Sequence, residues 1–425
     1  MKKIEAQIVA DSINPQGNRI TSFILTYPRF IHGELMTHRM FSRNSASSRA
    51  IPFKKMVEMV KTDPFIPIAW QSKHTGMQGH EYLDGDSEQK LLINKWLEAR
   101  DLAVQQAKLL DNSNVTKQLC NRLLEPFMWH TTLVTTTEIS NFFELRCPKY
   151  QTPVSRSVEP QRSWKDLTEV HSNPENLKRL EENKDNWIFK MQHSLSAAEI
   201  HIQALAEAMW DAMNESKPKQ LRPLEWHIPF GDILIPEFDY TKTREIDKDF
   251  HKKRLMFIVK DGEIEFAPRG CEQSHFEYFG KIEGLTRGFE LDGCVYTYKD
   301  NFIPIESDEI KNKFKDFKLF AGAKDFFNYQ YGDNKLIKIA TARCARLSYM
   351  TFEGEINYVK DIALHDQLLA AKHASPFEHC CRAMTEEEHK TLGKMVLNLK
   401  NGYVFENGWI DNFKGFISYR RVLNF

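Results

Sequence analysis

Residues 4–49 read IEAQIVADSINPQGNRITSFILTYPRFIHGELMTHRMFSRNSASSR. Two mostly apolar or alternating runs, 4–10 and 19–27, flank Asn14-Pro15-Gln16-Gly17-Asn18, whose turn chemistry predicts a β-hairpin. Ile31, Leu35, Met36 and Met40 then recur at roughly helical spacing. The Ser-rich stretch 42–48 should end that helix, because short polar side chains compete for backbone hydrogen bonds. Thr37, His38 and Arg39 are therefore expected in a late helical turn. A hairpin feeding a helix whose end carries Arg, Asn and Ser indicates an α/β (α+β) fold, a mixed sheet with helices.

Downstream, Leu, Ile, Val and Ala repeat with a helical period over Glu88 to Leu110 and again over Val115 to Leu124, broken at Asn112 to Asn114. Met128 to Thr137 is rich in β-branched residues and reads as a strand, followed by a short helix over Glu138 to Arg146. That helix carries Asn141 and Arg146 on neighbouring sides. Residues 148–190 have little period and read as an excursion with one polar helix. Ser196-Ala197-Ala198-Glu199 has capping-box spacing ahead of a helix over Ile200 to Met213. From 236 to 335 the chain turns polar and aromatic, with short strands such as Leu255 to Val259 and Val295 to Tyr298, and is read as an inserted subdomain between two parts of a core, 1–235 and 336–425. Helical period returns over Val359 to Leu369 and Lys390 to Leu399.

The 425 residues can bury a large core. Lys plus Arg (58) equal Asp plus Glu (58), so no broad basic field exists to hold a long polyanion, and any phosphate affinity must be local. No apolar run reaches the ~18 residues of a membrane span, and the start lacks a signal-peptide core. A cytoplasmic location is expected, without membrane or stable nucleic-acid partners. Seven cysteines without a C-x-x-C pair predict a reduced protein with no structural metal.

Three clusters carry candidate chemistry. The first is His38, Arg39, Arg43, Asn44, Ser45, Ser47 and Arg49, where planar guanidiniums flank hydroxyl and amide groups, the donor set a phosphate needs. The plainer alternative is that the cations complement a helix dipole and the serines end the helix. The second is Lys372-His373-Ala374-Ser375-Pro376-Phe377-Glu378-His379. Ser375, Pro376 and Glu378 make a helix start, to which the two histidines add groups that capping does not require. The third is Asn141 to Arg146 with Arg122 upstream, which taken alone is an amphipathic helix ending in a cation. No P-loop, dinucleotide fingerprint, H-E-x-x-H or G-x-S-x-G motif is present.

Taken together, the clusters resemble the motif set of the flavin-dependent thymidylate synthases: R-H-R-x-x-S-x-N-x-x-S-x-R, N-x-x-x-x-L-R followed by A-x-x-E-I, and A-R-x-S-Y leading to G-H-x-S-P-F-E-H. Here these stand as Thr37 to Arg49, Asn141 to Arg146 with Ala197 to Ile200, and Ala345 to Tyr349 with His373 to His379. The order is rotated relative to that family, so the chain resembles a circularly permuted relative of the long type found in large phages. The likeness covers about 1–50, 115–146, 195–230 and 340–425.

The resemblance implies a reductive one-carbon transfer to C5 of a pyrimidine deoxynucleotide monophosphate, with FAD, NADPH and 5,10-methylenetetrahydrofolate, in a homo-oligomer, a tetramer in that family. It implies that Arg146 contacts the pyrimidine and favours its ionised form. By the same matching, Ser47, Arg49 and Arg122, with Glu34 and Ser45, would hold the nucleotide, while His38, Arg39, Asn141, His373, Ser375 and Glu378 would line the flavin. A phage-encoded chain would work in the host cytoplasm. Several positions depart from the motifs: Thr37 replaces the first Arg, Glu34 a Gln, Ser45 a Glu, and Thr135 and Thr137 an Asn and an Arg that meet the flavin. The departures leave dCMP open beside dUMP and hydroxymethyl beside methyl. They also leave open a non-catalytic nucleotide-binding module.

Overall fold

A computed structural model describes residues 2–75, 79, 81–152, 159–171, 173–230, 336–347, 358–398 and 400–424, together with the backbone of short strands within 257–320. The fold is α+β. Its main sheet has five strands: β1 (Glu5–Ile13), β2 (Arg19–Pro28), β3 (Ser42–Ser45), β4 (Trp129–Thr136) and β5 (Lys219–Gln220), in the order β3-β4-β2-β1-β5. All neighbours are antiparallel except β1 and β5. The hairpin expected at the start forms as β1 and β2. Asn14 closes its turn by accepting from the backbone amides of Gln16 and Asn18 through Oδ1. β2 is buried almost along its whole length, which its apolar run RITSFILTYP permits.

Helices α1 (His32–Met36), α2 (Phe53–Thr62), α3 (Asp86–Asn112), α4 (Lys117–Cys120), α5 (Ser140–Arg146), α6 (Trp164–Val170), α7 (Pro174–Glu182), α8 (Trp187–Met191) and α9 (Ile200–Glu215) surround the sheet. Phe23, Leu25 and Tyr27 of β2, Phe142 and Phe143 of α5, and Ile202, Leu205 and Met209 of α9 form one buried cluster. Each such side chain contributes about 1.5–3 kcal/mol by leaving water. The cluster fixes α5, and so Arg146, against the sheet.

Contacts divide the chain into two compact units, one of 1–229, 344–353 and 374–425, the other of 230–343 and 354–373. In the first, β6 (Trp226–His227) and β7 (Cys381–Ala383) pair antiparallel, and β7 pairs again with a later strand, β10 (Phe416–Ser418). Between β7 and β10 lie the hairpin strands β8 (Gly393–Asn398) and β9 (Gly402–Asn407). Gly415, at φ +75, accepts through its carbonyl from Asn14 Nδ2 at 2.9 Å, and a side chain there would collide with that same amide. The last strands are thus locked to the first hairpin. The second unit contains α10 (Tyr358–Ala370), the helix expected over Val359 to Leu369, and short strands at Phe257–Lys260 and Cys294–Val295, where the inserted stretch was read as strands. Further short strands lie at Glu263–Phe266, Ile303–Pro304 and Leu319–Phe320, and the remainder of 236–335 lies outside the described residues.

Several local expectations are corrected. α1 ends at Met36, before the Ser-rich stretch expected to end it, and that stretch begins as β3 because Ser42 to Ser45 find ladder partners in Thr132 to Thr135. Val115 to Leu124 is not one helix: α4 gives way at Asn121 to a 3-10 segment, Asn121–Phe127, that contains Pro126. The excursion 148–190 holds three helices, not one. The Ser196–Glu199 capping box does not form, since Glu199 is itself the N-cap and accepts from the amides of His201 and Ile202. Within the stretch expected as a helix over Lys390 to Leu399, a short helix, Glu386–Thr391, ends and β8 follows; Leu392, Met395 and Val396 supply the helical spacing in sequence, while Met395, Leu397, Tyr403 and Phe405 lie exposed on one face of the hairpin.

Candidate active site

The helix end that opened the sequence reading is held by Arg43. α1 stops at Met36, and Arg43 Nη1 reaches back to the carbonyls of Met36 (2.9 Å) and His38 (3.3 Å). Thr37 is the C-cap, so His38 and Arg39 lie just past the helix and not in its last turn. The His38 ring packs edge-on to Phe142 at 4.8 Å and stacks on Phe41 at 5.9 Å. Arg146, at the end of α5, donates from Nε to His38 Nε2 at 3.4 Å, across 108 residues of chain. Burial, then the charges of Arg146 and Arg43, push His38 down to about 4. Nε2 is therefore an acceptor and the ring is neutral with its proton on Nδ1. Glu34 is half-buried on α1, and its carboxyl is raised by burial and by Glu199, and lowered by Arg146 and His201. Arg146 thus stands among a neutral imidazole and a carboxylate.

The second motif arrives at the same place. Asn44 donates from Nδ2 to the Cys344 carbonyl at 2.5 Å and accepts from Ser375 Oγ at 3.1 Å. Ser375–Glu378 is one turn of 3-10 helix, not the start of a longer helix, and Ser375 caps nothing because its hydroxyl is committed to Asn44. Glu378 pairs with Arg420 Nη1 and lies close enough to Arg43 to raise that guanidinium against the lowering effect of burial. A cavity of about 300 Å3 opens here, lined by Ser42, Glu378, Asn412, Phe413, Arg420 and Arg421, among others. Asn412 donates from Nδ2 to the Arg39 carbonyl at 3.2 Å, while the Arg39 side chain is exposed and has no hydrogen-bond or ion-pair partner among the described residues.

The residues expected to hold a phosphate, Ser47, Arg49 and Arg122, are tied together by residues that the sequence did not single out. Asn121 Nδ2 donates to the carbonyls of Ser48 (2.7 Å) and Ile51 (3.0 Å), pinning the 47–51 turn beside the 3-10 segment. Ser48 Oγ donates to Glu125 Oε1 at 2.6 Å, and Arg122 Nη1 pairs with the same oxygen at 3.3 Å. Ser47 and the exposed Arg49 are thereby brought beside Arg122. The Arg122–Glu125 pair is half-exposed and weak, so Arg122 can turn to an anion at little cost. Ser45 Oγ accepts from Thr132 Oγ1 at 3.1 Å, and Thr132 bonds Tyr27 Oη at 2.7 Å.

Four further positions stand differently. Asn141 is exposed on the first turn of α5. His373 belongs to the second compact unit, exposed in the turn after α10, where Lys372 adopts φ +53 at the position that is Gly in the G-H-x-S-P-F-E-H motif. Thr135 and Thr137 face protein. Thr135 is fully buried and bonds His379 Nδ1 (2.8 Å) and Ser22 Oγ (2.6 Å), and Thr137 Oγ1 accepts from the Lys414 amide at 2.9 Å. From Ser22 the polar chain continues to His227 Nε2 at 2.9 Å, and His227 Nδ1 reaches Ser12 Oγ at 3.0 Å.

No protein-family profile matches the chain, and no curated protein matches it in sequence. Among solved structures, the chain is similar to the crystal structure of a UMP/dUMP methylase PolB from Streptomyces cacaoi bound with 5-Br dUMP, at 12% identity over 50% of this chain and 91% of that one, with a TM-score of 0.34. The same enzyme bound with 5-Br UMP gives 15% identity over 32% and 72%, with a TM-score of 0.26. Superpositions of that size decide nothing about function. The residues have to carry it.

Of the signals missed in sequence, Glu125 and Asn121 had none, because their partners are 70 or more residues away. Arg420 and Arg421 stand at the very end of the chain, where a basic pair is ordinarily a solvated terminus.

Proposed function

We propose that this protein is an enzyme of pyrimidine nucleotide metabolism that transfers a one-carbon unit, as methyl or hydroxymethyl, to C5 of a deoxynucleotide monophosphate. dUMP is the first candidate and dCMP the second, with FAD, NADPH and 5,10-methylenetetrahydrofolate as co-reactants. The observation that carries the reading is convergence: segments around residues 38–49, 146 and 375–378 meet through Arg146 on His38 and Ser375 on Asn44. A merely structural helix end would not need partners drawn from three distant motifs.

Arg146 holds a fixed positive charge where a pyrimidine would develop negative charge on deprotonation, and its neutral neighbour His38 does not compete with it electrostatically. Glu34 offers acceptor oxygens beside that guanidinium. Ser47, Arg49 and Arg122 supply an exposed donor set for the 5′-phosphate. The donors around the smaller cavity, Arg39, Asn412 and Arg421, with Glu378 orienting Arg420, suit the diphosphate of a flavin dinucleotide, and Asn141 and His373 are further flavin candidates by motif. When bound, FAD supplies the redox chemistry that these side chains lack. Burial pushes the thiols of Cys147, Cys344 and Cys381 up, so none of them is an available thiolate nucleophile near neutral pH. Subunits of a homo-oligomer would share the site.

The purified protein should be yellow, or take up added FAD with a flavin visible spectrum; a colourless protein that binds no FAD contradicts the proposal. One observation favours a second reading. Thr135 and Thr137 are engaged with protein, at positions where the motif set has flavin-contacting Asn and Arg. A nucleotide-binding module without flavin chemistry would bind dUMP yet leave NADPH unoxidised in the presence of folate.

A further inference from the structure

A second, larger cavity of about 620 Å3 lies within the first compact unit, and none of its lining residues belongs to the candidate active site. Its size is that of a site for a drug-sized ligand. Ile4, Ile66, Ile68 and Leu97 give it apolar walls, and the indoles of Trp129 and Trp187 add two aromatic surfaces. The floor is charged and organised. Lys190, buried, sits 4.3 Å from the Trp187 ring centroid and 3.2 Å from Glu207, whose carboxylate also takes Tyr150 Oη (3.1 Å) and the Trp164 amide (2.7 Å).

The charge balance of the lining favours an anion. Six basic and four acidic residues line the cavity. The acid Glu207 is matched by Lys190, Asp63 takes the Lys2 backbone amide at 3.2 Å, and Asp185 and Asp211 also line the cavity, while the ammoniums of Lys2, Lys3 and Lys61 are exposed and have no carboxylate within ion-pair distance among the described residues. Those ammoniums are too solvated to stabilise the fold appreciably. Gathered beside aromatic and aliphatic walls, they suit a ligand that is flat and apolar at one end and negatively charged at the other.

We propose that this cavity is a second ligand site, separate from the candidate active site, for an aromatic ring bearing phosphate or carboxylate groups. Nucleotide and folate-type molecules share that chemistry. The test uses the full chain and the aromatic sulfonate 1-anilinonaphthalene-8-sulfonate as probe, with its uncharged analogue N-phenyl-1-naphthylamine beside it. The expected result is saturable binding of one sulfonate per chain, weakened about tenfold by Lys61→Glu, while the uncharged analogue is indifferent to that change. Ala208→Trp, on the α9 wall, should fill the cavity and abolish probe binding with the melting temperature retained. Displacement by NADPH but not by 5-methyltetrahydrofolate would mark the phosphate class, and the converse the carboxylate class. Absence of saturable binding, affinity unchanged in Lys61→Glu, or failure of both competitors to displace the probe would overturn the proposal. Should Ala208→Trp not fold, Lys61→Glu at its exposed position still decides. FAD uptake is scored separately, so failure here leaves the active-site reading standing.

Discussion

Two histidine networks in this molecule look alike in sequence and differ in purpose. One is the sealed line Ser12, His227, Ser22, Thr135 and His379, all buried, strung across strands β1, β2, β4 and β6 to the turn that follows Glu378. The other is the open group of His38, Arg43 and Arg146 at the end of α1. In the sealed line, His379 Nε2 is the one ring nitrogen without a partner. A bare lone pair costs less than a bare N–H, so the proton sits on Nδ1 and each group donates to the next, from His379 through Thr135 and Ser22 to His227 and Ser12. In the open group the guanidiniums keep donors to spare. The comparison teaches that unspent hydrogen-bonding capacity, more than the presence of a histidine, separates a site from a brace.

The difference can be broken from either end. The largest effect is expected in the open group: Arg146→Ala should lower turnover by about a thousandfold with FAD uptake and melting temperature retained, as removal of a preorganised charge does. Steady-state kinetics beside a thermal melt checks both halves. In the sealed line the pattern should invert. Thr135→Val leaves His379 Nδ1 without a partner and takes from Ser22 the bond it accepts, and should cost about 2–4 kcal/mol of stability by denaturant titration, with kcat in the folded protein little changed.

Acid sharpens the contrast. Burial lowers His227 and His379 to about 3, against about 6.5 in an unfolded chain, so the unfolded state binds more protons between those values. Their contribution is complete above pH 6.5 and is lost as pH falls from 6.5 toward 3, by about 1.4 kcal/mol per pH unit for each imidazole. A stability slope approaching two protons across pH 4–6 is expected from the pair; a flat profile there would contradict the buried neutral pair. The smallest effect belongs to the rim. Arg122→Ala should raise the KM for nucleotide about tenfold with little change in stability, since its one ion pair among the described residues is half-exposed.

The elements that follow from local periodicity were legible before the structure: the β1–β2 hairpin, the long helix α3, the strand β4 and the helix α5 that carries Arg146. What failed was local wherever a distant partner decided the outcome. Ser42 to Ser45 became a strand because Thr132 to Thr135 lay ready to pair. Ser375, an ideal cap by type, bonds Asn44, which is 331 residues away. Leu392, Met395 and Val396 have helical spacing in sequence, although Met395 and Val396 lie in strand β8. In the candidate site, the arginines, His38 and Ser375 stood out by motif, whereas Glu125 and Asn121, which bring Arg122 to the 47–51 turn, act only through tertiary contacts and left no pattern to read.

The central claim is a one-carbon transfer to pyrimidine C5. Incubating the protein with FAD, NADPH and 5,10-methylenetetrahydrofolate against dUMP, dCMP, UMP and CMP, and weighing the products, tests it in one measurement. The account predicts that a deoxynucleotide, dUMP first, gains the mass of a methyl or hydroxymethyl group, and that Arg146→Ala abolishes the gain. Unchanged masses for all four nucleotides, from protein that holds FAD, would contradict it.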